Sequence, residues 1–512
     1  MSRYLPTCKT LYRNHFAIHA PLISTLLLAL VQLIFSPQLL AHADHHSDVK
    51  PDVNKLSSET RGKLDDAWQS LMDGLAKAKT ALEDPEHYPP QPTDRVLAEG
   101  YRYLMAHLNR AIEFEMRADP MFPEFYRSMD MLRKWTGENP DTMYLKAPID
   151  ATGYYKITGT AANTKEWRKS VRGVKGPKAP RLVTFQTISD VPGHTGELAE
   201  MQQCKSQTLD FINGLSMQVD RKGGFEILIG PEKPQDYRGD FLLSKKLMQC
   251  ESAGTEAVRE AQWVAVREIF SDWENEIPLD MDIVRVDAIG ANRPPITVDD
   301  ITHKLNRIAV EVPNQIRFWN LLMEFPLEIA RDANRDGKRN LPVNGINKPA
   351  PPFTAGGVAG AKQIYSSGVF DFADDEALVL KITAPAEPHY IGFQLNNLWM
   401  EGPDQQNYVS SLTGHQLPVA SDGSRYYIIA HKDPGVQGWV DTTGIRHGFF
   451  AMRFVFAEEL EEERLPTAEA MLVKLDDLAG VIPEDTPAVS AEQRKDEIAV
   501  RQRHIKRRWR GF

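Results

Sequence analysis

The chain has 512 residues, enough for two to four domains. With 42% apolar and 25% charged residues it is neither a disordered chain nor a multi-span membrane protein. Its 60 basic against 70 acidic residues, a net charge of −10, leave no surplus for tracking phosphates and argue against nucleic-acid binding, while three cysteines exclude a disulfide-dense scaffold and a zinc ribbon.

Residues 1–43 read as a signal peptide. Arg3, Lys9 and Arg13 precede an uncharged apolar run over 21–35, and Ala41-His42-Ala43 supplies the small-x-small cleavage pattern. Cleavage places the mature chain, starting at Asp44, in the periplasm or outside the cell; without it, residues 21–40 become an inner-membrane anchor. Removal leaves 57 basic residues against 70 acidic, a net charge of −13, and takes Cys8 away. The remaining Cys204 and Cys250 then meet an oxidising compartment, and a disulfide between them is expected; the alternative is two buried, unpaired thiols.

Residues 44–130 form an N-terminal helical region, with Leu64, Trp68, Leu71, Leu75 and Ala78, then Leu104, Leu108 and Ile112, at helical spacing. A first β-rich domain follows over 131–290, where short apolar runs at 154–157, 181–187, 225–229 and 281–286 are separated by Gly, Pro and Asp. Residues 291–365 are a helical connector and a Pro/Gly-rich linker. The connector starts at a capping-box-like Thr297-Val298-Asp299-Asp300, and Pro313 and Pro326 are expected to break or kink it. Period-two alternation over 366–490, as in Leu378, Leu380 and Ile382 or Ile391, Phe393 and Leu395, predicts a C-terminal β-sandwich-like domain. A basic helix closes the chain over 491–512. Its Arg501, Arg503, Lys506, Arg507, Arg508 and Arg510 either make a weak contact with an anionic membrane surface or dock beside Ile505 and Trp509 on the acidic body; docking is preferred. The fold class is α+β: two β-sandwich-like domains with N-terminal, inter-domain and C-terminal helices. No internal repeat is apparent in the sequence.

Asp332, Asn334, Asp336 and Gly337 imitate a calcium loop, but Val343 stands where a bidentate acid is needed, so a polar loop is expected and no metal. H-E-x-x-H, G-x-S-x-G, Walker and dinucleotide motifs are absent, and no cofactor is expected. The densest chemistry is the run from Ala430 to Gly444, which holds His431, Asp433-Pro434-Gly435, Trp439 and Asp441, with Gln394, Asn396, Asn397 and Trp399 upstream. The first β-domain offers a matching set in Trp135, Asn139, Asp141, Tyr144 and Arg267. Singly, such residues are core aromatics and turn-formers. Collectively, amides, acids and aromatics at strand ends suit a polar, planar or sugar-like ligand.

The Asp433-Pro434-Gly435 run with Trp439, Asp441, Thr442 and Gly444, preceded by Leu395-Asn396-Asn397-Leu398-Trp399, resembles the C-terminal signature of the bacterial family catalogued as domain of unknown function 1214. Residues 137–144, Tyr155 and Gly159, Val266-Arg267 and Asp272-Trp273 are similar to the upstream part of the same long proteins. What the resemblance implies is fold, two β-sandwich-like domains with helices; it brings no reaction.

The expectation is therefore an exported protein that binds, and as a hydrolase or lyase processes, a polar organic or carbohydrate-like small molecule in a cleft between the two β-domains. Asp433 and Asp441 are the acid/base candidates, with His431 orienting one of them. Trp399, Trp439 and Tyr144 would stack on the ligand; Gln394, Asn396, Asn139, Asp141 and Arg267 would bind its polar atoms. The alternative is a non-catalytic envelope binding or scaffold protein.

Overall fold

The structure, a computed structural model, describes residues 56–84, 93–168, 171–201, 205, 208–250, 255–324, 340–351 and 362–509. The signal-peptide segment, Cys204, the side chain of Cys250, the loop at 332–339 and Arg510 lie outside the described residues.

Two long helices precede the strands, α1 (Ser58–Glu83) and α2 (Asp94–Met116). Thr93 caps α2 by accepting the Val96 amide at 3.3 Å. The first β-domain then comprises β1 (Tyr126–Arg127), β2 (Thr142–Pro148), β3 (Tyr155–Thr160), β4 (Leu182–Ile188), β5 (Thr208–Asn213), β6 (Gly224–Gly230), β7 (Asp240–Leu243), β8 (Lys245–Cys250), β9 (Thr255–Glu260), β10 (Trp263–Ile269) and β11 (Asp280–Arg285). One sheet runs β1-β2-β10-β4-β5 and a second β11-β3-β6-β7; β8 and β9 form a separate hairpin. Between the two sheets lies a core that includes Met143, Leu145, Phe185, Val264 and Val266 facing Ile157, Phe225, Ile227 and Ile283.

Helix α3 (Val298–Glu324) connects this sandwich to the next. Thr297 and Asp300 form the expected capping box, each side chain accepting the other's amide. Pro326 lies outside the described residues, and the helix continues through Pro313, so the break expected there does not occur. Ile308, Val312 and Ile316, on either side of it, are anchored among Leu71, Ala78, Leu104 and Ala111 of α1 and α2, and that packing holds the helix through the proline. Gly74 permits close approach, since a Cβ there would meet the Ala309 carbonyl oxygen at 2.2 Å.

The second β-domain comprises β12 (Lys362–Asp371), β13 (Glu376–Thr383), β14 (Tyr390–Asn396), β15 (Ser411–Thr413), β16 (Ser424–Ala430), β17 (Trp439–Asp441), β18 (His447–Phe456) and β19 (Thr467–Lys474). Its sheets run β12-β18-β14-β15 and β17-β16-β13-β19 around Ile364, Phe393, Tyr427, Phe450 and Met452. This is the strand order of the first sandwich again: β2-β10-β4-β5 matches β12-β18-β14-β15, and β11-β3-β6-β7 matches β19-β13-β16-β17. Even the two parallel edge pairs, β6 with β7 and β16 with β17, correspond. The two domains are thus one topology used twice.

Helix α4 (Ala491–Trp509) docks rather than projects. Arg501, His504, Ile505 and Arg508 are buried, with His504 stacked on Trp273 at 5.0 Å. Arg507 donates to the carbonyls of Glu274 and Glu276, so of Arg501, Arg503, Lys506, Arg507 and Arg508 only Arg503 and Lys506 are exposed. Among the described residues no helix is long and apolar enough to cross a membrane.

Candidate ligand-binding site

Strand parity builds the site. On β2, β10 and β4 the side chains facing the sandwich core are Met143, Leu145, Val264, Val266, Val183 and Phe185. Their alternates, Tyr144, Lys146, Arg267, Thr184 and Gln186, must point to the other face of the same sheet. Register aligns them in two rungs, Tyr144–Arg267–Thr184 and Lys146–Ala265–Gln186.

The equivalent sheet of the second sandwich repeats the pattern. Its outer face carries the rung Tyr365–Arg453–Gly392, in the register that Tyr144, Arg267 and Thr184 occupy in the first. Arg267 lies 5.8 Å from the Tyr144 ring and Arg453 lies 5.7 Å from the Tyr365 ring. Gln186 corresponds likewise to Gln394, and Ala265 to Ala451.

A cavity of about 680 Å³ is bounded by both polar faces, with Trp319, Leu322 and Met323 of α3 along one side. Its volume is that of a site for an organic molecule. Trp135 and Trp319 meet edge to face at 5.3 Å, and the Arg110 guanidinium sits 3.4 Å from the Trp135 ring. Burial, reinforced by the charges of Arg110 and Arg267, pushes the Lys146 ammonium well below its ordinary value.

Four residues singled out from sequence, Trp135, Asn139, Tyr144 and Arg267, line this cavity. Asp141 lies just behind it: it is fully buried and accepts the Tyr390 hydroxyl at 2.5 Å, while Asn139 donates to the same hydroxyl at 2.9 Å. Burial raises the Asp141 carboxyl to about 6 against the opposing hydrogen bond from Tyr390. This cluster joins the first domain to β14. Gln394 and Asn396 belong to the same seam and not to the cavity wall. Gln394 donates to the Glu138 carbonyl at 2.7 Å and accepts from Arg453, and Asn396 donates to the Met400 carbonyl at 2.9 Å.

The remaining candidates lie elsewhere, which corrects the expected centre of the site. Asp433 accepts the Gly435 amide at 2.8 Å and pairs with Arg494 of α4 at 2.9 Å. Asp441 accepts the Thr443 amide at 2.7 Å, where Thr443 has φ 54°. His431 is held between the Thr442 hydroxyl at 2.8 Å and the Phe372 carbonyl at 3.2 Å. A carbonyl can only accept, so Nε2 carries the proton and Nδ1 accepts from Thr442. The two acids are engaged in backbone turns around β16 and β17, and His431 bridges Thr442 to Phe372, just past the end of β12. Trp439 is buried with its indole donating to the Ala430 carbonyl at 3.1 Å, and Trp399 is stacked on Tyr103 in the helical layer at 5.3 Å. None of these five lines the cavity.

Lys146, Gln186, Tyr365, Tyr390 and Arg453 were not singled out. The available signal was a basic residue inside an otherwise apolar strand, Ala-Val-Arg-Glu-Ile-Phe at 265–270, recurring as Ala-Met-Arg-Phe-Val-Phe at 451–456. Among the described residues no group of His, Cys, Asp and Glu is arranged to hold a metal.

No family model and no curated protein sequence matches the chain. Among solved structures it is similar to an uncharacterised protein from Burkholderia cenocepacia, with 22% identity and a TM-score of 0.62 over 81% of this chain and 99% of that one. The VPA0106 protein from Vibrio parahaemolyticus is matched at 12% identity and a TM-score of 0.34, over 78% of this chain and 100% of that one. The first likeness shows the fold class, α+β with more than one β-domain.

Proposed function

We propose that this chain binds a polar organic small molecule in the cavity between its two β-sandwiches, as an exported member of the family it resembles, domain of unknown function 1214. One observation carries the reading: two equivalent sheets turn their polar faces toward each other around about 680 Å³ of space. A sheet face that merely packs against another is filled with apolar side chains. Here tyrosine, arginine, lysine and glutamine occupy it, among aromatic neighbours, as a ligand site requires.

Binding is favoured over hydrolysis or elimination, because the acid/base candidates Asp433 and Asp441 hold turns and His431 holds Thr442 and Phe372, all outside the cavity. The test is native mass spectrometry of the purified protein together with a thermal-shift screen of polar metabolites. A ligand at one hundred times its Kd adds about 2.7 kcal/mol. Absence of both a retained molecule and any stabilising compound refutes the reading. Export is tested separately, by N-terminal sequencing: a mature chain starting at Asp44 is expected, and intact Met1 in the soluble cytoplasm refutes it.

A further inference from the structure

The duplicated topology contains its own control. Arg267 and Arg453 occupy equivalent positions, each over an equivalent tyrosine, yet their surroundings have diverged. Arg453 is committed: it donates to the Gln394 side chain and to the Gly137 carbonyl at 2.9 Å, tying the second sandwich to the first. The Arg267 side chain makes no hydrogen bond and no ion pair among the described residues, and its Nη1 is buried without a partner.

Lys146 is its diagonal neighbour on the same face, ~7 Å away by sheet geometry. It is 6% exposed and likewise has neither hydrogen bond nor ion pair among the described residues. Its Nζ lies 5.0 Å from the Trp135 ring and 5.8 Å from the Phe114 ring. Between the two stands Ala265, whose small side chain leaves space above the sheet. No acid on the cavity wall forms an ion pair with either, although Asp190 and Glu311 act on Lys146 through space. Asp190 pairs with His194 at 3.2 Å, and Glu138 accepts the Gly402 amide at 2.8 Å. Glu311, beyond the wall, accepts from Gln315 at 2.8 Å.

Arg267 is half-buried with one guanidinium nitrogen fully enclosed and unpaired, which is costly, and what offsets that cost in a functional pocket is an anion. We infer that Arg267, with Lys146 beside it, is the receptor for the carboxylate of an organic acid whose body lies among the aromatic side chains of the cavity. This rests on reading the cavity as a ligand site and specifies the ligand's class. The guanidinium fork matches the two oxygens of a carboxylate, and the lysine adds a third donor. Trp135, Tyr144, Trp319 and Tyr365 then supply planar walls for a carbon skeleton, which an inorganic anion would leave unused.

The test uses the full chain and measures Kd by calorimetry for a set of aryl and alkyl carboxylates, each beside its neutral amide, with inorganic phosphate alongside. The acids are expected to bind about tenfold or more tighter than their amides. Arg267→Gln should erase that margin and leave amide affinity unchanged; Lys146→Met should reduce it. Arg494→Gln, which removes a guanidinium paired with Asp433 outside the cavity, should keep the margin. If Arg267→Gln loses its thermal transition, Arg267→Lys decides instead, because it keeps the charge without the fork, and an unchanged margin there overturns recognition by the fork. Equal affinity for acids and amides, a margin that survives Arg267→Gln, or phosphate binding as tightly as the best acid overturns the inference. Binding of neither acids nor amides overturns the cavity reading itself, so the two failures are distinct.

Discussion

Glu268 follows Arg267 on β10 and therefore points the opposite way, into the protein interior, where it is completely buried. One carboxyl oxygen accepts the Leu279 amide at 2.9 Å and the other has no partner. Burial raises its pKa to about 8, opposed by the Leu279 hydrogen bond and the charge of Arg508. The folded protein thus holds this proton to a higher pH than the unfolded chain. Its contribution is complete below about pH 4.5 and is lost as pH rises toward about 8. The full shift from 4.5 corresponds to at most about 5 kcal/mol, and the part lost between pH 5 and pH 8 to about 3 to 4 kcal/mol. With an unfolding entropy of about 2 cal/mol/K per residue over about 450 residues, that loss is about 4 °C of melting temperature. Glu268→Gln places a neutral isostere of the protonated acid in the same space and should remove this fall, leaving the variant more stable than the parent at pH 8. Thermal unfolding of both proteins at half-unit steps from pH 5 to pH 8.5 measures it. Parallel curves would show that Glu268 is ionised in the folded protein and would refute the reasoning. The duplicate offers a precedent, since the equivalent position is the buried Phe454.

Three further outcomes are expected. Asp433→Ala should cost ~1 kcal/mol through the loss of the Gly435 turn contact, with affinity for any cavity ligand unchanged; a changed affinity would return Asp433 to the site. Gly392→Ala should destabilise by roughly 1 to 3 kcal/mol, because the new Cβ would meet the Tyr390 hydroxyl at 2.0 Å and Asp141 at 2.9 Å; an unchanged melting temperature would mean that the seam tolerates the methyl group. Arg501→Ala should cost about 3 kcal/mol or more, since it strips donors from the Gln405 and Ser411 carbonyls and a cation from the Trp273 ring, and increased protease cleavage within 491–509 would report the undocking.

The sandwiches were legible because apolar alternation such as Leu378, Leu380 and Ile382 marks a strand with one face in a sheet-to-sheet core. The α3 capping box was legible for the same local reason. That each sheet had a second, polar face directed at the other domain was not. Tyr144 and Lys146 look like solvent-facing alternates until a second sheet is placed opposite them. The densest motif misled for a topological reason. Asp433-Pro434-Gly435 lies in the loop that carries β16 into the parallel edge strand β17, and the Pro231-Glu232-Lys233-Pro234 run does the same between β6 and β7. A loop that must return the chain to a parallel neighbour concentrates Pro, Gly and Asp whatever the protein binds. The duplication itself escaped notice because the two copies share parity and topology while sharing few identities, Phe185-Gln186 with Phe393-Gln394 being one of the short matches.

Helix α4 grips both sandwiches: Arg508 donates to the Pro140 carbonyl at 2.7 Å and Arg507 to that of Glu274 at 3.1 Å in the first, while Arg501 reaches Gln405 at 3.3 Å and Ser411 in the second. The ribosome delivers these parts in a fixed order, with the first sandwich, its polar sheet face and its unpaired cations emerging long before the helix that clamps the pair. During synthesis that face is open to water, so Arg267 and Lys146 are hydrated and cost nothing to leave unpaired. Both sandwiches and α4 must be in place before that face is enclosed, because the helix that contacts the two is the last described element of the chain.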